Sequence, residues 1–169
     1  MIRSKRRRLP SRSVALAGVL TLAALVVPAC SNNSSGSDSS GPALTTIFVQ
    51  KFRYHGMPST MSSGLHEFLF ENKESFPITH EMIPVALPAG KTAEDITAEA
   101  KAKGPDSEDE WLHIGGDFGA VDTGANLIEI LNLPPGNYAF ACWQTGTQSG
   151  GENGPPHASK GMVAQFTVS

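Results

Sequence analysis

Four side chains in this sequence carry soft metal-ligand chemistry at a spacing that folding can close: His80, Cys142, His157 and Met162. The last three are near neighbours in the chain. Cys142 ends the run Asn137-Tyr-Ala-Phe-Ala-Cys142, a Gly/Pro-rich stretch follows, and His157-Ala-Ser-Lys-Gly-Met162 completes the segment. Two imidazoles, a thiolate and a weakly held thioether form the donor set of a copper centre suited to passing single electrons. The chain has two cysteines. With Cys30 read as the residue that processing lipidates, Cys142 has no intramolecular disulfide partner. An unpaired thiol in an exported chain is a liability unless buried or bound. Each residue also has a plainer reading. Cys142 suits a core strand as a small hydrophobe, His80 alone is a surface or hydrogen-bonded histidine, and Met162 opens an apolar strand as a packing residue.

A second scatter of soft ligands, His55, Met57, Met61 and His66, lies upstream. Thioether and imidazole suit Cu(I), which makes Met57 and Met61 candidates for an accessory site; ordinary exposed loop residues are the alternative. Trp143 beside Cys142 either packs beneath a site or offers an edge for electron passage. His113, two residues after Trp111, has no evident partner. Nothing points to catalysis. The sequence has no nucleophile with a paired base, no phosphate-binding glycine loop and no metalloprotease helix. One metal held by four protein ligands leaves no open position for substrate.

The elements that must position these residues are strands. Leu44 to Phe52 alternates and is rich in β-branched and aromatic residues, and Leu65 to Asn72 follows. Ile78 to Leu87 is a third strand, expected at an edge or bulged because Pro84 cannot donate to a ladder. Thr92 reads as the N-cap of one inserted helix running to Lys103, with Glu94 and Asp95 in its first turn and Gly104-Pro105 as the stop. Asp106 to Glu110 is an acidic run expected to be an exposed loop. Asn126 to Leu133 is an alternating strand, Pro134-Pro-Gly136 turns it, Tyr138 to Trp143 returns, and Met162 to Val168 closes the chain. Six or seven short strands with one small helix predict an all-β sandwich.

The first 29 residues read as an export signal. Arg3, Lys5, Arg6, Arg7 and Arg8 precede an apolar stretch, Val14 to Val27, too short to span a membrane as a finished helix. Val27-Pro28-Ala29-Cys30 resembles a lipobox, with Cys30 as the lipidated residue; an ordinary cleaved signal or an uncleaved anchor is the alternative. Residues 30–42 form a Ser/Gly-rich tether that cannot bury apolar area, leaving 43–169 as one domain. Lipidation would hold it at the outer face of the cytoplasmic membrane. The whole chain carries −3. Six of its 13 basic residues leave with the signal while all 16 acidic residues remain, so residues 30–169 carry −9. Nucleic acid is excluded as a partner and a basic protein is favoured, with the acidic run near Asp109 as a candidate steering surface.

Beyond these readings, the chain resembles the cupredoxins, the blue type 1 copper proteins, over nearly all of residues 43–169. The resemblance is carried by Phe68-x-Phe70-x-Asn72, Phe76-Pro77-Ile-Thr-His80, Leu133-Pro-Pro-Gly136-x-Tyr138-x-Phe140-x-Cys142, and His157-x-x-x-x-Met162. It implies a Greek-key β-sandwich and a monomeric one-electron carrier rather than an enzyme. It further implies one type 1 copper ion held by His80 and His157 in the equator, by the Cys142 thiolate, and by Met162 as axial thioether. The edge of His157, among Pro155, Pro156 and Ala158, would be the electron exit. Copper handling, or a metal-free binding module with Cys142 buried, are the alternatives. Two features depart from the pattern. Fourteen residues separate Cys142 from His157, a length that costs little because loop closure grows only logarithmically. Glu81 stands where such carriers usually place an asparagine linking the ligand loops, as an accessory ligand or a hydrogen-bond acceptor.

Overall fold

Alternating strands and β-branched residues build two mixed sheets packed face to face. The computed structural model describes residues 41–115, 119–146 and 154–169. The expected export signal, Cys30 and most of the expected tether lie outside the described residues. In chain order the strands are β1 (Leu44–Val49), β2 (Tyr54–His55), β3 (Thr60–Met61), β4 (Gly64–Asn72), β5 (Ile83–Ala86), β6 (Leu112–His113), β7 (Asn126–Leu133), β8 (Gly136–Ala141) and β9 (Val163–Val168), with helix α1 (Ala93–Lys103) between β5 and β6. One sheet runs β2-β1-β4-β7 and the other β3-β9-β8-β5-β6.

The sandwich with one inserted helix is therefore as the sequence pattern expects. Ile47, Val49, Phe68, Phe70, Leu131, Leu133, Phe140 and Phe166 fill the space between the sheets. Within it the Phe140 ring meets Phe68 edge-on and stacks on Phe166, with centroids 5.3 and 5.2 Å apart. Strand β8 is buried on both faces. Tyr138, Phe140 and Cys142 point between the sheets, whereas Ala139, Ala141 and Trp143 point outward beneath α1. Side chains on a strand alternate faces, so Cys142 and Trp143 must serve opposite layers. The helix starts where Asp95 accepts the Thr92 amide at 2.9 Å and buries Ile96 and Ala100 on that outer layer.

Several boundaries differ from the sequence reading, each for a local reason. The first strand stops at Val49, because residues 50–53 form a tight turn in which Gln50 and Arg53 exchange backbone hydrogen bonds of 3.1 and 3.2 Å. The expected strand Ile78 to Leu87 is regular only over β5. Upstream, side chains take the backbone groups: Asn72 and Thr123 both donate to the Ile78 carbonyl, and the Glu81 amide donates to the Cys142 sulfur. Strand β5 is not at the edge either. Pro84 pairs with Phe140 of β8, and two-residue β6 lies beyond β5. A residue's N–H and C=O point to the same neighbour, and the Pro84 carbonyl accepts from Ile114 just past β6. The missing donor thus faces the short outer strand. The acidic run is not a loop: Gly104 to Glu110 is a 3₁₀ helix continuing from α1 after Gly104 takes φ +74°.

Candidate metal centre

Three segments converge at one end of the sandwich. His80 precedes β5 and is pinned by a two-way bridge with Val121: its N–H donates at 3.1 Å and its carbonyl accepts at 2.6 Å. Asn72 fastens the same bridge, its amide donating to both the Ile78 and Val121 carbonyls at 2.9 and 2.7 Å. Cys142 directly follows β8. His157 opens a 3₁₀ turn, His157–Lys160, that Gly161 ends in the left-handed conformation at φ +86°. Backbone hydrogen bonds zip this turn to the cysteine strand, from His157 to Gln144, from Ala158 to Cys142, and from Cys142 to Met162.

The side chains close on one point. Cys142 Sγ lies 3.7 Å from His80 Nδ1 and 3.4 Å from His157 Nδ1, and the two Nδ1 atoms are 3.0 Å apart. The point equidistant from these three atoms is about 2.0 Å from each, the length of a metal–imidazole bond and near that of a metal–thiolate bond. His80 and Cys142 are fully buried and His157 is 2% exposed. Met162 is fully buried in the same cluster as Cys142, its amide donating to the His157 carbonyl. Among the described residues, His80, Cys142 and His157 are the His, Cys, Asp and Glu side chains whose ligand atoms gather in this way.

Electrostatics keeps both imidazoles neutral. Burial pushes His80 down to about 4, with Lys160 adding to the effect and the Glu74 carboxylate opposing it. Burial, the His80 ring and Lys160 push His157 down to about 3. Neutral imidazole is the ligating form. Glu74 Oε2 sits 3.6 Å from His80 Nε2, which favours the tautomer with the proton at Nε2 and the Nδ1 lone pair facing the sulfur. The Cys142 thiol is pushed up, first by burial and then by the Glu81 charge. Without a cation at the centre it stays protonated, and a divalent or monovalent metal would release that proton. The donor set and its triangle fit a copper ion of the two-histidine, one-cysteine type with a thioether at hand.

Glu81 faces away from the triangle. Its carboxylate accepts the Trp143 amide at 2.6 Å and the Gln144 side-chain amide at 2.9 Å, while its carbonyl accepts the Tyr54 hydroxyl. It thus ties the His80 loop to the strand carrying Cys142, as an acceptor where an amide would donate. Trp143 packs in the outer layer and donates to Ser107 Oγ at 3.0 Å, so its ring serves packing. His113 does have a neighbour, its ring stacking on Trp143 at 6.2 Å.

The upstream scatter does not converge. His55 stacks on Phe48 and faces the Gln50 carbonyl, whereas His66 faces the Ser62 carbonyl. Met57 and Met61 pack against the inter-sheet core. Met61 pairs with Val168, six residues from Met162 along an extended strand, about 20 Å away.

Phe52 is the residue that sequence reading missed. Its ring meets His80 and His157 edge-on, centroids 5.4 and 4.8 Å away, and so packs against both imidazoles. Lys51 and Phe52 both take positive φ, 54° and 56°. These are the central positions of a two-residue hairpin turn, where Asn-Gly is the usual pair. Each left-handed non-glycine costs on the order of 1 kcal/mol. The Phe52 amide donates to Glu74 Oε2 at 3.0 Å, so the carboxylate that faces His80 Nε2 also holds the strained turn. The only sequence signal for this arrangement is an aromatic where a hairpin would prefer glycine, and it is weak.

No protein family matches the sequence, and no curated protein matches it. Solved structures do match. The chain is similar to dithionite-reduced auracyanin from the photosynthetic bacterium Roseiflexus castenholzii, with 20% identity over 76% of this chain and 99% of that one, TM-score 0.50. It is likewise similar to auracyanin A, described as a "blue" copper protein, from the green thermophilic photosynthetic bacterium Chloroflexus aurantiacus, with 16% identity over 76% and 100%, TM-score 0.50. At these identities the likeness establishes the fold, a cupredoxin β-sandwich. Among the described residues, no helix is long and apolar enough to cross a membrane.

Proposed function

We propose that this chain binds one copper ion and carries single electrons, and that lipid on Cys30 holds it at the outer face of the cytoplasmic membrane. One observation carries the copper reading: two Nδ1 atoms and a thiol sulfur, all buried, meet in a triangle whose centre is at metal-bond distance from each. A copper ion supplies a one-electron couple at such a site, and every other task falls to the protein. His80 and His157 present neutral nitrogens. Cys142 would supply the thiolate, and Met162, buried in the same cluster, a weakly held thioether. Bridges at Val121, Asn72 and Glu81 fix the positions of these ligands before metal arrives, so little has to move when the charge changes. Phe52 excludes water from the imidazole edges. The burial of all three donors favours a carrier over an enzyme.

The test is to express the chain from Ser31 onward, add Cu(II), and record visible and EPR spectra. One copper per chain with an intense thiolate-to-copper band is expected. Copper bound without that band would replace the carrier with a copper-handling protein, and no binding would remove both. Tethering is read separately. Cys30→Ala should release the domain from the membrane fraction or stall its processing, and unchanged association with normal maturation would end that part of the proposal.

A further inference from the structure

We propose that the turn Lys51-Phe52-Arg53, together with Lys160, is the docking face through which an acidic redox protein exchanges electrons with the centre. The inference rests on the electron-carrier reading above and names the partner's chemistry. Residues 30–169 carry −9 and keep 7 basic side chains, yet three of the seven flank or touch Phe52, whose ring meets both histidines. Lys160 Nζ lies 4.2 Å from the Phe52 ring centroid, and Lys51 and Arg53 flank Phe52 in sequence. All three are exposed and Phe52 is half-buried. Lys73, Lys91 and Lys103 each lie within ion-pair distance of a carboxylate, whereas among the described residues Lys51, Arg53 and Lys160 make no ion pair. Their charges are available to a partner.

Among the described residues, two carboxylates lie near this face. Glu74 lies beneath the turn, holding the Phe52 amide. Glu94 lies across an open groove of about 510 Å³ that runs from Arg53 past Gly161 to α1 and brings a fourth cation, Lys101, to its wall. The acidic run lies elsewhere: Asp106, Glu108 and Asp109 line a cavity over Trp143 and Glu81, and Trp143 points away from the triangle. A basic partner steered there would meet the outer layer rather than the imidazole rings. An apolar ring over two ligands with cations around it suits an acidic surface with an apolar centre. The step moves one electron from Cu(I), oxidised to Cu(II), to the partner's redox group, which is reduced by one. No bond forms or breaks and no proton moves.

The test separates docking from copper chemistry. Hexacyanochromate(III), a redox-inert paramagnetic trianion, is titrated into isotopically labelled metal-free protein. Broadening is expected at the amides of Lys51, Phe52, Arg53 and Lys160, and should vanish in the triple variant K51E/R53E/K160E, whose other amide signals report an intact fold. Absence of broadening there in the parent protein, or its persistence in the variant, overturns the proposal. In the copper-loaded protein the same variant should slow oxidation by hexacyanoferrate(III) about tenfold or more at low salt and speed oxidation by the cationic tris(phenanthroline)cobalt(III). Both effects should shrink near 1 M salt, where charges are screened within about 3 Å. Equal changes for the two oxidants, or none, also overturn it. A chain that takes up no copper removes the carrier reading and the redox role of the partner, while the trianion map still decides whether the face binds anions.

Discussion

The chain contains two sets of soft ligands, and only one of them makes a site. His80, Cys142, His157 and Met162 come from three segments that meet at one end of the sandwich, and three of their donor atoms lie within 3.7 Å of one another. His55, Met57, Met61 and His66 are much closer in sequence, yet they spread over β2, β3, β4 and the chain between, each facing a different carbonyl, ring or core surface. The difference lies in what holds the backbone. The first set hangs on a bridge, a strand end and a 3₁₀ turn fastened to one another. The second is divided between two short edge strands, the chain between them and interior β4, with no shared anchor. Convergence comes from long-range pairing, and donor type alone gives no site.

The largest effect should come from removing the sulfur. Cys142→Ser should abolish the intense visible band of the copper-loaded protein, because charge transfer from a short copper–thiolate bond requires that atom. Met162→Leu should keep the band and shift the reduction potential, since an axial thioether is long and weak. A serine variant that stays intensely coloured would move the thiolate role elsewhere and dissolve the contrast between the two sets.

Next in size is the strut between the ligand loops. Glu81→Ala leaves the Trp143 amide, buried and now held at 2.6 Å, without its acceptor. Leaving a buried donor unsatisfied costs about 1–3 kcal/mol, read as a lower urea midpoint of the metal-free protein. Glu81→Gln keeps an acceptor oxygen and should cost less. Equal midpoints for parent and alanine variant would mean that the loops hold their positions without it.

Acid should act through His80 and His157. Unfolded histidine titrates near 6.5, whereas folded His80 and His157 are pushed down to about 4 and about 3. Between those values the unfolded chain binds more protons, so stability rises with pH across the window and is lost as pH falls. The metal-free protein should therefore show a flat urea midpoint above pH 7 and a steady fall from about 6.5 toward 4. A midpoint unchanged down to pH 5 would mean that these imidazoles are not buried in neutral form.

How much of this was legible in the sequence follows the range of the interactions involved. Strand patterns such as Asn126 to Leu133, and the Thr92 cap, are local and emerged where expected. The ligand residues were legible through their resemblance to a known arrangement; spacing alone left His80 open. Pro84 predicted an edge or a bulge and lies one strand in, because what fills the outer side is a two-residue strand too short to leave a pattern. Residues 78–82 read as strand because they run into the apolar segment of β5, but the Ile78 carbonyl and Glu81 amide are taken by the Asn72, Thr123 and Cys142 side chains, and His80 makes only an isolated bridge with Val121. Phe52 could not be read at all. Its role depends on a positive-φ turn that its residue type disfavours, and on contacts with rings 28 and 105 positions away in sequence.

The smallest effect should come from the set that does not converge. Met57→Leu with Met61→Leu exchanges thioethers for side chains of similar volume in partly buried positions packed on the inter-sheet core. Volume-conserving exchanges of this kind cost under about 1.5 kcal/mol each. Copper stoichiometry should stay at one per chain and the visible band should not move, because Met61 pairs with Val168 at the far end of the strand that Met162 precedes. Isothermal titration with Cu(I) against a competing chelator makes the check sensitive to a weak second equivalent, the form of copper that thioethers favour. Loss of such an equivalent in the double variant would show that the upstream methionines bind metal after all. Identical titration curves would leave one centre, built where three segments are fastened together.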